Sequence, residues 1–296
     1  MRRREFLQQA AIAAVPLLTR AAARRAPLAL ATADTEGYVA VVDLVGARRT
    51  SRVATLDGPR SIESHGRGPV VVAHTAAGAI TLLERAGDRV AVRRILRGFE
   101  QPRYTAIAPD GRHAAQHAGA DEVDDGDLAG RTLWIALGSS ARRIAVADVG
   151  RDPLRPRVIR HVAAPFLAHD VAFAPGGARV WVTAGRERRF AVYAAGGEHP
   201  IRVLEADAAP QHVTFGVGRA FLASGEQPSV CVHALHDGAR RRRTATPLGS
   251  YNVQQAAGRV LTPSLNHGTQ TVLDPDGRVV RQVRVAPAAH DACVVR

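Results

Sequence analysis

Two His-Asp pairs, His169-Asp170 and His290-Asp291, are the residues best suited to chemistry in this sequence. Neutral imidazole is a general base near neutral pH and a common metal ligand. A neighbouring carboxylate orients the ring and steadies its charge. Together with His212, the pairs would supply three imidazoles, enough for a zinc or copper site. A second group is the acidic run Asp121, Glu122, Asp124, Asp125 and Asp127, whose oxygens suit calcium. The run lacks the EF-hand spacing, and a solvated loop that balances the arginines is the alternative. His113 and His117 stand four apart, without the Glu of an HExxH motif. No GxSxG elbow, phosphate-binding glycine loop or dinucleotide fingerprint occurs, which argues against the commonest hydrolase and nucleotide classes.

The elements that position these residues repeat along the chain. His169 to Ala174 is a short strand, Pro175-Gly176-Gly177 a turn, and Arg179 to Thr183 a second strand. Related segments begin at Arg60, Arg103, Gln211, Tyr251 and His290. Apart from one long interval after Arg103, the spacing is ~40 residues, the length of one four-stranded propeller blade. The blade from His169 predicts strands near 169–174, 179–184, 189–194 and 200–206. Val-rich strands punctuated by glycine turns such as Asp237-Gly238 and Asp276-Gly277 indicate an all-β fold.

The two ends predict how the ring closes. His290 to Val295 reads as the first strand of a blade, and the chain then stops. Leu28 to Thr32, Tyr38 to Asp43 and Arg52 to Leu56 are three strands that lack a first one. Pairing the two groups makes one blade and closes the ring. The expectation is an all-β propeller of six four-stranded blades over residues 26–296, with an acidic insertion near 112–131. The long interval leaves room for a seventh blade.

The segment from His169 to Thr183 resembles the YVTN-type propeller repeat of lactonase-like proteins. Val171-Ala172-Phe173 and Pro175 match its first strand and turn, and Trp181-Val182-Thr183-Ala184 stands where that repeat carries its namesake tetrapeptide. The resemblance implies fold rather than activity, since one fold hosts many functions. Members of that family usually have seven blades, so no catalytic residue is carried over.

In such a fold the first strand of each blade lines the central channel. Arg60, Arg103, His169, Gln211, Tyr251 and His290 open these strands. Ser61, Tyr104, Asp170, His212, Asn252 and Asp291 follow them. All are polar, and the residues after them are mostly apolar. A ring of this kind at a channel mouth is either a ligand site or a solvated rim.

Residues 1–25 read as an export signal. Arg3-Arg4-Glu5-Phe6-Leu7 resembles the core of the twin-arginine signal, an apolar run to Leu18 follows, and Ala21-Ala22-Ala23 offers a cleavage site. The apolar run is too short for a stable membrane span. The address expected is periplasmic or extracellular.

The formal charge is +13, and every basic residue is arginine, a composition that GC-rich codons produce. The arginines are dispersed, without the interleaved aromatics of a nucleic-acid surface. Arg240 to Arg243, the one run, reads as a solvated hairpin tip. Cys231 and Cys293 sit in apolar strands of different repeats, which predicts buried free thiols. Two functions follow. The first is an exported, monomeric binding propeller for a small molecule, glycan or protein partner, without nucleic acid. The alternative is a propeller enzyme of lactonase or lyase type, with a divalent metal as the candidate cofactor.

Overall fold

The computed structural model describes residues 26–46, 48–64, 69–107, 114–118, 126–137, 142–149 and 157–296. Their regular structure is all strand, arranged in six four-stranded antiparallel sheets and one two-stranded sheet. Blade 1 joins the two ends of the chain: β1 (Leu28–Ala33), β2 (Tyr38–Asp43) and β3 (Arg48–Ala54) are fronted by β26 (Ala289–Val295). Blade 2 comprises β4 (Pro59–Ser64), β5 (Val70–His74), β6 (Ala79–Ala86) and β7 (Arg89–Arg97). The two-stranded sheet pairs β8 (Pro102–Ile107) with β9 (Ala114–Ala118). Blade 3 holds β10 (Gly126–Ala129), β11 (Thr132–Ala136), β12 (Arg143–Asp148) and β13 (Arg157–Ala163). Blade 4 holds β14 (Asp170–Phe173), β15 (Arg179–Thr183), β16 (Arg189–Ala194) and β17 (Pro200–Glu205). Blade 5 holds β18 (His212–Gly216), β19 (Arg219–Ser224), β20 (Ser229–Ala234) and β21 (Arg240–Ala245). Blade 6 holds β22 (Gln254–Ala256), β23 (Arg259–Pro263), β24 (Thr269–Leu273) and β25 (Val279–Arg284).

The six four-stranded blades and the closure by both chain ends are as the sequence predicts. In blade 1, Leu30 faces Cys293 and Ala31 faces Ala292. The long interval differs from expectation. The blade holding β11 has its own first strand in β10, so β8 pairs with β9 instead. First strands adjoin in the order β26, β4, β8, β10, β14, β18, β22 and back to β26. Seven strands thus surround the channel, and six of them front a full blade. Arg240 to Arg243 is not a hairpin tip but the start of β21, the outermost strand of blade 5. An edge strand has one unpaired side, and charged side chains there keep it from pairing with another chain.

The core lies between blades. In five of the six blades the third residue of the second strand (Leu30, Trp134, Trp181, Phe221 or Leu261) packs against the next blade. Trp134 packs edge-on to Tyr193 at 5.7 Å, and Trp181 packs edge-on to Phe215 at 5.9 Å. Leu30 fills the same place against Ile62 and Val72 of blade 2. With few aromatics available, Val and Ala fill most of the remaining space.

A β-bulge interrupts the pairing of third and fourth strands in all six blades, at equivalent positions. The outer residue just before it is Arg94, Arg160, Arg202, Arg242 or Arg281 in five of them, and Ser51 in blade 1. Arg160 donates to the carbonyls of Gly196 and Ala195 at 2.9 Å, and Arg202 to that of Asp237 at 2.7 Å. Each thereby reaches the third turn of the next blade and satisfies carbonyls that the turn leaves unpaired. Gly238 shares that turn with Asp237. It has a φ of 74°, and a Cβ there would run into Leu204 of blade 4. The turn needs glycine both for its left-handed backbone and for the close approach of the neighbouring blade.

Candidate functional site

The first strands enclose a cavity of about 200 Å³ on the channel axis. Its wall takes residues from β4, β8, β14, β18, β26 and from β22 with the two residues before it, among them Ser61, Thr105, Asp170, His212, Asn252 and Asp291. Alternation along a strand explains the pattern. Ser61, Asp170, His212, Asn252 and Asp291 face the channel. The residues directly after them, Ile62, Val171, Val213, Val253 and Ala292, turn to the other side and pack between blades.

Asp170 and Asp291 are equivalent residues with equivalent bonds. Val213 N–H donates to Asp170 Oδ2 at 2.8 Å, and Ile62 N–H donates to Asp291 Oδ2 at 3.0 Å. In both cases the donor directly follows the channel-facing polar residue, His212 or Ser61, of the next first strand. Related contacts cross other seams: Gln255 N–H to Thr214 Oγ1 at 3.2 Å, Asn252 Nδ2 to the His290 carbonyl at 3.1 Å, and Ser61 Oγ to the Arg103 carbonyl. Several of these polar residues therefore stitch neighbouring blades together as well as lining the channel. The sequence reading missed this second duty. Its only trace in the sequence is the recurrence of Asp, Asn or Ser at one repeat position.

The surroundings of the two carboxylates differ. Burial pushes Asp170 upward, but the His212 ring, the Val213 N–H and the charge of His169 outweigh it and hold the carboxyl below its ordinary range. His212 Nδ1 lies 3.5 Å from Asp170 Oδ2, and the His169 ring meets the His212 ring edge-on at 5.1 Å. Burial also pushes Asp291 upward. The N–H bonds from Ile62 and Ala292 compensate only in part, and its pKa rises to about 6. His290 is driven well below the usual imidazole value by burial and by the charges of Arg60 and His212. Its Nδ1 lies 3.0 Å from the Arg60 carbonyl and 3.3 Å from Asn252 Nδ2, so it can donate to the first or accept from the second according to its tautomer.

The other candidates are placed as follows. Arg60 turns away from the channel wall to Asp34 at 2.8 Å. Gln211 accepts from Gly225 N–H at 2.8 Å, and the Tyr251 ring lies so close over Gly225 that a Cβ there would enter it. Arg103 and Tyr104 lie on β8, whose backbone pairs Tyr104 with His117. Asp121, Asp124 and Asp125 fall outside the described residues. Asp127 stands opposite Trp134 in the β10–β11 register. The structure brings His169, Asp170 and His212 together at one seam, with His290 and Asp291 at another. Among the described residues, no three His, Cys, Asp or Glu side chains form a group able to hold a metal ion. Cys231 and Cys293 are buried free thiols, as expected. No helix among the described residues is long and apolar enough to cross a membrane.

No protein-family model matches the chain, and no curated protein matches it in sequence. Solved structures do match it in fold. A functionally unknown protein from Desulfotomaculum acetoxidans superposes with a TM-score of 0.77 at 10% identity, over 91% of this chain and 99% of that one. The periplasmic gluconolactonase PpgL of Pseudomonas aeruginosa gives 0.71 at 14% identity, over 91% and 99%. Apo AztD from Citrobacter koseri gives 0.67 at 9% identity, over 91% and 97%. At such identities the likeness is one of fold, and it groups this chain with propellers that include a gluconolactonase.

Proposed function

We propose that this chain is an exported β-propeller that binds a small polar ligand in the channel, against the wall formed by Asp170, His212, Asn252 and Asp291. The observation that carries the reading is the Asp170–His212 contact on the wall of the axial cavity. A convergent set of polar groups in a concave site is the usual form of a small-molecule site. A buried carboxylate below its ordinary pKa favours a ligand that donates hydrogen bonds, such as a sugar or a hydroxy acid. Residues 1–25, read as a twin-arginine-type signal, and the periplasmic address of PpgL support export.

The test is calorimetric titration of the full mature chain with aldoses, aldonic acids and hydroxy acids. Binding that is lost in Asp170→Asn and His212→Ala, with both variants folded, supports the reading. Binding unchanged by both variants sinks it.

The same contact favours a second reading, a lactonase-type activity. Asp170 would hold His212 Nδ1–H, leaving Nε2 to take a proton from water as the water oxygen attacks a lactone carbonyl. The ring C–O bond then breaks, and the leaving oxygen takes that proton back, giving a hydroxy acid. Acid release from aldonolactones, followed by pH-stat and abolished in His212→Ala, separates this enzyme from a binding protein.

A further inference from the structure

The arginines of the outermost strands are unevenly distributed round the ring. Blades 5, 6, 1 and 2 are consecutive, and their outer strands β21, β25, β3 and β7 carry thirteen arginines and no Asp or Glu. The outer strands of blades 3 and 4, β13 and β17, carry three arginines and Glu205. Edge protection calls for charge on every outer strand and does not explain a bias toward one side. Within the arc β25 adjoins β3, and β3 adjoins β7, so the charges of these three strands form a continuous band, and Thr244 of β21 donates to the Gly277 carbonyl in the turn that leads into β25. Among the described residues only Arg93, Arg240 and Arg241 of these thirteen make an ion pair, with Glu84, Asp207 and Asp237.

We infer that this arc is a docking surface for an acidic polysaccharide. A band of guanidinium groups draws in a polyanion and gains further from the counterions the polymer releases. The band spans four blades around a closed ring, so a flat bilayer meets only part of it, whereas a flexible chain can follow it. The four strands contain no Phe, Tyr or Trp, so they offer no platform on which bases could stack. The site is separate from the axial cavity and independent of what that cavity binds.

The experiment measures binding of polygalacturonate to the full mature chain at several salt concentrations. One variant removes four charges from the arc: Arg93→Ser, Arg94→Ser, Arg97→Ser and Arg281→Ser. A control removes four from blades 3 and 4: Arg143→Ser, Arg157→Ser, Arg186→Ser and Arg188→Ser. The expected result is a loss of roughly tenfold or more in the arc variant, with a shallower salt dependence, and less than about twofold in the control. Equal losses in both overturn the inference, because binding then follows net charge alone. Tighter binding to duplex DNA of equal charge also overturns it. Arginine footprinting of the unmutated chain gives an answer even where the arc variant does not fold. Protection confined to β3, β7, β21 and β25 supports the site, and uniform or absent protection removes it.

Discussion

Asp291 Oδ2 accepts the N–H of Ile62 at 3.0 Å, joining residues 229 apart in sequence. The bond ties the C-terminal strand, which completes blade 1, to the first strand of blade 2. The ring is thus locked at its closure by a buried carboxyl whose pKa is raised to about 6. The unfolded chain holds this carboxyl near 3.8, so between pH 4 and 6 the folded state keeps a proton that the unfolded state gives up. The contribution of Asp291 is therefore full below pH 4 and declines as pH rises through 6. Urea unfolding of the unmutated chain and of Asp291→Asn at pH 4.5 and 7.5 checks this. The unmutated chain should lose stability relative to the variant on going to pH 7.5, by about 2–3 kcal/mol at ~1.4 kcal/mol per pKa unit. A pH-independent difference between the two would refute it.

The equivalent carboxyl at Asp170 has the opposite sign. Held below its ordinary range, it stabilises the fold above pH 4 and loses that contribution as pH falls. Asp170→Ala removes the acceptor of the buried Val213 N–H and should cost about 1–3 kcal/mol at pH 7. The cost should shrink on acidification below pH 4, which denaturant titrations at pH 3 and 7 would read.

Much of the fold was legible in the sequence, and the site less so. The blade from His169 is read to within a residue or two per strand, because turn glycines and alternating valines are local signals. Closure through His290 to Val295 followed from counting strands at both ends. The strand pairing in the long interval was not legible, since β10 is four residues long and has no apolar alternation. The polar ring was found by repeat position. Its seam bonds were not, because Asp170 meets Val213 and Asp291 meets Ile62 only once the blades pack. The bulge arginines were hidden for the same reason: their partners are carbonyls of the next blade.

Those arginines give a third prediction. Arg160→Ala and Arg202→Ala each remove bonds to a turn of the neighbouring blade. Each should destabilise the chain by about 1 kcal/mol, whereas Arg157→Ala on the same outer face should stay within about 0.5 kcal/mol. Melting temperatures of the three variants decide it, and equal shifts would deny the arginines any part in joining blades.

The last prediction concerns Gly238, where left-handed backbone and steric closeness coincide. Gly238→Ala places a methyl group against Leu204 at a φ of 74°. The expected cost is about 1–3 kcal/mol, part strain and part overpacking. The two parts can be separated in a Leu204→Ala background, which removes the obstacle but leaves the backbone as it is. There the cost should fall to the strain alone, and the difference between the two backgrounds is the coupling across the blade seam. If the cost is the same in both, Leu204 yields without penalty, and glycine is required at this turn for its backbone only.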